Sequence, residues 1–297
     1  MSIENYDPQL WADSILEFYE KKLVYVEGCN RDYEGEIKEA GDSVKINSYS
    51  DPTIFTVTRN SDIDVAETLD GAQQVLLIDQ SKGFNFQIDS IDKAQMKPKT
   101  LMASVTRRAG YKLKDTADSF AAERMRDSVD GVSTGADTGN WLDNRTIGTG
   151  AGDEDAYEAI VDLGSKLSED DVDEDDRWVA VPPWYHGMLL KDPRFVSFGT
   201  PGNKSALMTG RVGAAAGFVI KVSNNVPAAA SGSGMTEAII AGSMDASTFA
   251  DQIPVGTVEA YRPERRINAD ALKGQHLYGM LVARPYALAR IDVAQGS

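Results

Sequence analysis

Apolar positions along this chain change their spacing several times, and each change marks a different kind of element. Asp7 is a good N-cap and Pro8 suits a first helical position; beyond them Leu10, Trp11, Ile15, Leu16, Phe18 and Tyr19 recur at helical spacing. That spacing predicts an N-terminal helix whose Trp11 either packs in the chain's own core or docks on another surface. From Gly41 to Asp89 the period falls to two. Val44 and Ile46, then Phe84, Phe86 and Ile88, alternate with polar residues, and Ile54–Thr58 and Val75–Ile78 are further β-rich runs. The stretch reads as a long two-stranded excursion followed by a return strand. A lone hairpin is marginally stable in water, so this one must lie against its own domain or against a neighbour.

Helical spacing returns from Lys99 to Asp130, with Leu101, Val105, Leu113, Ala117, Phe120, Ala121 and Met125 on one face and Gly131 as the stop. Gly110 interrupts this face at a cost of about 1 kcal/mol relative to Ala, which predicts one long helix, bent or broken there. A Gly/Thr/Asp-rich loop, Gly131–Gly152, leads to a helix beginning at Asp153, with Ala156, Ala159, Ile160, Leu163 and Leu167 inward. After the acidic turn SEDDVDEDD, the run Trp178–Val181 predicts a buried strand stopped by Pro182 and Pro183. Phe218–Val222 and Ala238–Ala241 predict two more. Val258–Tyr261 and Leu277–Ala283 flank RPERRINADALKG as two strands joined by a surface loop. There is no internal repeat, and no regular βα alternation of a doubly wound sheet; the pattern is α+β.

Composition narrows the class. The 297 residues are 42% hydrophobic and 26% charged, the balance of an ordinary folded protein. Cys29 is the only cysteine, so no intrachain disulfide can form, which fits a reducing cytoplasm. Stretches such as Val212–Val222 are too short to span a bilayer, and MSIENYDPQLWADS has no export signal; no membrane role is expected. The 46 acidic residues exceed the 30 basic ones, for a net charge of −16. Tight nucleic-acid binding needs clustered Lys and Arg, so this chain can wall in DNA but not grip it.

Catalytic constellations are not evident. His186 and His276 are the two histidines, and neither belongs to an H-E-x-x-H pair. GTPGNKS (Gly199–Ser205) has the wrong glycine-to-lysine spacing for a phosphate loop, and GTGAG (Gly148–Gly152) misses the dinucleotide fingerprint. Read as a calcium loop from Asp171, the acidic turn has Asp173 and Asp175 in register. Asp176 replaces the turn glycine, however, and Pro182 stands where the bidentate glutamate belongs. No G-x-S-x-G elbow appears, and Cys29 has no histidine near it in sequence. The expectation is a protein that is not an enzyme and carries no cofactor or metal.

Five phrases, in order, carry a resemblance: LVYVEGCNRDYEGEIKEAGDSVKI, LLIDQSKGFNFQIDSIDKAQ, YKLKDTADSFAAERM, WVAVPPWYHGMLLKDPRF and GMLVARPYALARIDV. Together they resemble the major capsid proteins of tailed bacteriophages, whose Hong Kong 97-type fold is shared with encapsulins. The resemblance implies an N-terminal arm (1–34), an extended loop (35–90), a peripheral domain with its spine helix (91–131) and an axial domain (132–245). Return strands of the peripheral domain (246–297) would carry a threefold loop at 262–274. It further implies hexamers and pentamers closing an icosahedral or prolate head around double-stranded DNA, assembled in the host cytoplasm and retained in the virion. A separate scaffolding protein and a portal would be partners, with a decoration protein as an optional addition. The intersubunit candidates are Trp11 and Phe18 on the arm, Ile54, Phe55 and Val57 on the loop, and Arg262, Glu264, Arg265, Arg266 and Asp270 near the threefold. Some relatives cross-link through a Lys–Asn isopeptide bond; Lys45 and Lys82 lie in strand-like runs away from the loop tip, so a non-covalent shell is expected. Rival readings are an encapsulin-like nanocompartment, another phage structural protein such as a decoration or tail-tube subunit, and an acidic soluble hydrolase.

Overall fold

The computed structural model describes residues 24–32, 43–49, 52–57, 59, 66–68, 71–89, 101–129, 140–150, 152–192, 213–229, 234–252, 259–263 and 269–296. The expected helix around Trp11 and the segment GTPGNKS lie outside these residues. In chain order the strands and helices are β1 (Ser43–Tyr49), β2 (Gly71–Leu77), β3 (Gln80–Asp89), α1 (Leu101–Val129), β4 (Trp141–Ile147), α2 (Ala156–Glu169), β5 (Arg177–Val181) and α3 (Pro183–Lys191). There follow β6 (Ala214–Ala215), β7 (Phe218–Val222), β8 (Glu237–Ser243), β9 (Ser247–Gln252), β10 (Glu259–Tyr261), β11 (Ala269–Val282) and β12 (Leu288–Gln295).

Six strands form a mixed sheet in the order β4-β12-β8-β5-β7-β6. Its three central strands are buried on both faces, so period-two alternation feeds two separate cores. Val179, Val181, Ile239, Ala241, Ala289, Ile291 and Val293 face α2 and α3. Trp178, Ala180, Ile240 and Leu288 face α1. α2 presents Ala156, Ala159, Ile160, Leu163 and Leu167, all buried, as its sequence spacing predicts. Each of the larger three contributes about 1.5–3 kcal/mol. Asp155 caps this helix by accepting from Tyr157 N–H at 3.0 Å. The prolines that end β5 also begin α3: Pro182 is its N-cap and Pro183 its first residue, so the chain turns directly from strand to helix.

β12 carries two charges into this packing. Arg290 and Asp292 share one face of the strand and are both 0% exposed. Arg290 Nε and Nη2 each donate to one Asp292 carboxylate oxygen at 2.7 Å, a bidentate fork.

The second sheet is built on β11. β3 pairs along one edge (Ala269↔Asp89 to Tyr278↔Gln80), while β10 and β9 share the other. α1 spans both sheets as one unbroken helix of 29 residues, running through the buried Gly110 without a break. Its inward Leu113, Ala117, Ala121, Ala122, Met125 and Val129 join Phe249, Tyr278 and Met280 with the first core. Phe120 meets Tyr278 edge-on at 5.4 Å. His276 is buried beside Tyr278, its Nε2 3.2 Å from Asp251, which also accepts from Arg31 at 2.6 Å.

Several expectations change. Residues 52–57 form no strand, and among the described residues none pairs with the β-rich run at Ile54. β11 begins at Ala269 rather than Leu277, so half of the expected surface loop 262–274 is paired sheet. β12 does not accompany the return strands; it inserts between β4 and β8, in the sheet drawn from residues 141–243. The acidic turn is more than a solvated link: Arg177 donates to the carbonyls of Val172 and Asp173 and to Ser168 Oγ, so the turn's backbone wraps a buried guanidinium.

Residues 24–32 lie across this body. Trp178 Nε1 donates to Gly28 O at 3.1 Å, and a Cβ at Gly28 would come within 2.5 Å of that indole, so the close crossing requires glycine. Cys29 is buried here, its thiol donating to Tyr25 O at 3.3 Å and accepting from Ser247 Oγ at 3.2 Å. Burial pushes its pKa up to about 12, outweighing the Ser247 hydrogen bond. Native subunits should therefore resist maleimide at neutral pH and react once denatured. Rapid labelling of the native subunit, followed by mass spectrometry, would show that this segment opens.

Candidate assembly surfaces

Sequence alternation gives the β1–β2 hairpin an inner and an outer face. Val44 and Leu76 are cross-strand partners, and together with Ile78 they pack on Ala250 of β9 and Leu277 of β11. This roots the hairpin in its own subunit. The close approach rests on Gly279: a Cβ there would lie 2.2 Å from the Leu77 carbonyl oxygen. Val75 and Leu77 point the other way and are exposed, with Gln74 Nε2 donating to Ala283 O at 3.2 Å.

Beyond the paired strands the two legs remain linked. Thr53 donates through its backbone N–H and its hydroxyl to the Glu67 carboxylate, at 2.9 and 3.2 Å. The braced leg presents Ile54 (93% exposed), Phe55 (44%) and Val57 (71%) to solvent. Burying side chains of this size is worth about 1.5–3 kcal/mol each, and here that stabilisation is left for another surface to supply.

The ten candidate residues divide sharply. Ile54, Phe55 and Val57 lie together on the braced leg. Arg262 and Asp270 face each other at the β10–β11 end of the second sheet, with Arg262 Nε 3.6 Å from Asp270 Oδ1, an exposed pair of small energetic weight. Nearby, Lys273 pairs with Glu259 at 2.7 Å and Tyr261 OH donates to Asn85 at 3.0 Å, so this end is polar. Trp11, Phe18, Glu264, Arg265 and Arg266 lie outside the described residues. Sequence reading missed Trp141 on the open edge strand β4 and Tyr286 in the turn before β12, both about half exposed. Their segments adjoin, since Asn140 Nδ2 donates to Tyr286 O. The available signal was a lone aromatic beginning a polar run, WLDNRT.

Gly148, Thr149, Gly150, Met188 and Lys191 line an open cavity of about 600 Å³. Among the described residues no group of three or more His, Cys, Asp or Glu side chains is placed to hold a metal, and no helix is long and apolar enough to cross a membrane.

The chain matches the phage capsid protein family over residues 56–291. It belongs to that family. This capsid protein is thus a structural, non-enzymatic component of the phage head shell and of the virion. A solved structure from Mycobacterium phage Che8 is 25% identical, covers 98% of each chain and superposes with a TM-score of 0.69. The capsid structure of cyanophage P-SCSP1u is 16% identical over 88% of this chain and 85% of that one, with a TM-score of 0.65. A virus-like particle from Pyrococcus furiosus shares the fold at 12% identity, covering 96% and 98%, with a TM-score of 0.55. No curated protein sequence matches. The capsid protein has the Hong Kong 97-type fold that the five phrases imply.

Proposed function

We propose that this capsid protein closes a head of hexamers and pentamers in which the β1–β2 hairpin of each subunit clasps a neighbour. The observation that carries this reading is the braced leg: Ile54, Phe55 and Val57 stand exposed on a hairpin whose root is packed firmly in its own subunit. A rigid, outward, apolar projection suits a second copy of the chain better than solvent. In this reading α1, β3 and β9–β11 form the peripheral domain, α2, α3 and the six-stranded sheet form the axial domain, and the β10–β11 end lies near the threefold. A separate scaffolding protein and a portal would assist assembly in the host cytoplasm. The net charge of −16 suits enclosure of double-stranded DNA rather than adhesion to it.

Co-expressed with the scaffolding protein of its phage, the chain should sediment as megadalton particles that appear as closed shells by electron microscopy. Boiled in denaturant, the particles should yield a single band at 32.2 kDa, because the chain has one cysteine and no isopeptide link is expected. A folded monomer or dimer that persists across salt and concentration would refute shell assembly. A reductant-resistant ladder would refute the non-covalent shell.

A further inference from the structure

Asp118 lies on the inward face of α1 and is almost wholly buried. A carboxylate in that setting is strongly unfavourable unless its oxygens are satisfied. Its Oδ1 accepts from three successive backbone N–H groups, Val24 at 3.0 Å, Tyr25 at 2.8 Å and Val26 at 3.4 Å. Its Oδ2 accepts from Asn225 Nδ2 at 3.2 Å. The three amides open the 3-10 turn Val26–Gly28, whose own N-cap residue, Tyr25, makes no side-chain cap. Asp118 is therefore that cap, supplied by a helix distant in sequence.

Further ties of this segment follow in chain order: Trp178 to Gly28, Ser247 to Cys29, Ser247 and Phe249 to Asn30, Asp251 to Arg31. The charged and titratable groups around Asp118 are Tyr25, Glu27 and Cys29 of the segment, Lys114 and Asp115 on α1, and Lys221 on β7. Burial pushes the Asp118 carboxyl up, against the downward pull of its amide donors.

We propose that Asp118 is the positioning residue of the N-terminal arm: by capping Val24, Tyr25 and Val26 it fixes the course of residues 24–32, the part of that arm that lies on the subunit body. The proposal rests on reading those residues as an intersubunit arm. Asp118 works as a hydrogen-bond acceptor rather than as a charge. D118N keeps an acceptor oxygen for the amides and can meet Asn225 if that amide turns over, whereas D118A leaves the donors orphaned.

The test compares amide hydrogen exchange in unassembled subunits with particle yield after co-expression with scaffold. D118A should speed exchange at Val24, Tyr25 and Val26 by about tenfold or more, since three buried amides lose their shared acceptor at once. Amides of α2 and β5 should keep their protection, while shell yield falls by about tenfold. D118N should stay within about threefold of the parent in every readout. Parental exchange at Val24–Val26 in D118A, equal damage from D118N, loss of α2 and β5 protection in D118A, or undiminished D118A shell yield would each overturn the proposal. Parental shell yield in the same preparations tests the arm-and-shell reading itself, so its failure is distinguishable from failure of the anchor.

Discussion

Removing the distal part of the hairpin should abolish shell formation and leave the subunit folded. Tyr49 and Gly71 are cross-strand partners, so residues 50–70 can be replaced by Asn-Gly, the dipeptide that closes such a pair in a type I′ turn. Val44, Leu76 and Ile78 stay on Ala250 and Leu277, and neither large core is touched. The loss falls on Ile54, Phe55 and Val57. Burying them against a neighbour is worth about 5 kcal/mol in total, more than a thousandfold in the affinity of each contact. That far exceeds an exposed ion pair such as Arg262–Asp270, at about 0–1 kcal/mol. Sedimentation should show no particles, while thermal unfolding of the free subunit stays cooperative and close to the parent. Normal particle yield would sink the clamp, and loss of cooperative unfolding would assign the distal hairpin to the subunit's own core.

The second large effect belongs to β12. Asp292→Ala leaves the fully buried Arg290 guanidinium without its fork, and breaking such a pair costs about 3–5 kcal/mol. Denaturant unfolding should show this as a lower midpoint at unchanged slope. Replacing both residues, Arg290→Met with Asp292→Leu, should recover most or all of the loss, because an apolar pair avoids the desolvation cost of burying charge. Removing the exposed Lys112–Asp115 pair on α1 is the control and should shift stability by less than about 1 kcal/mol. If Asp292→Ala behaves like that control, the buried fork contributes nothing.

What could be read from the residues followed how strongly one face of an element was marked. The inward face of α2 was legible to the residue, because its five inward positions are apolar at helical spacing and the rest of the helix is mostly polar, although the helix starts at Ala156 rather than at Asp153. Trp178–Val181 was legible as a continuous apolar run. β4 was not, because an open edge strand paired on one side carries polar residues on both faces. β11 was found only from Leu277 onward. Its first half, ADALKGQH, mixes small and charged residues that suit pairing with β3 but resemble a loop in isolation. α3 was hidden by its prolines, which mark the end of a strand and the start of a helix equally well. Charges hid the most: Arg290, Asp292, Arg177 and Asp118 read as surface residues, and only their partners, which tertiary structure supplies, make them interior. Ile54, Phe55 and Val57 stood out in the sequence as a β-rich run, whereas the structure leaves them exposed and outside any strand. Among the described residues no strand pairs with them.

The place of β12 also sets a schedule. The strand lies between β4 and β8, yet it follows both of them, and every helix, along the chain. A ribosome therefore delivers α1 and α2 with their apolar faces long before the strand that completes the sheet beneath them. Until β12 is delivered, the sheet is open between β4 and β8, both cores lack one of their strands, and the Arg290–Asp292 pair has no interior to enter.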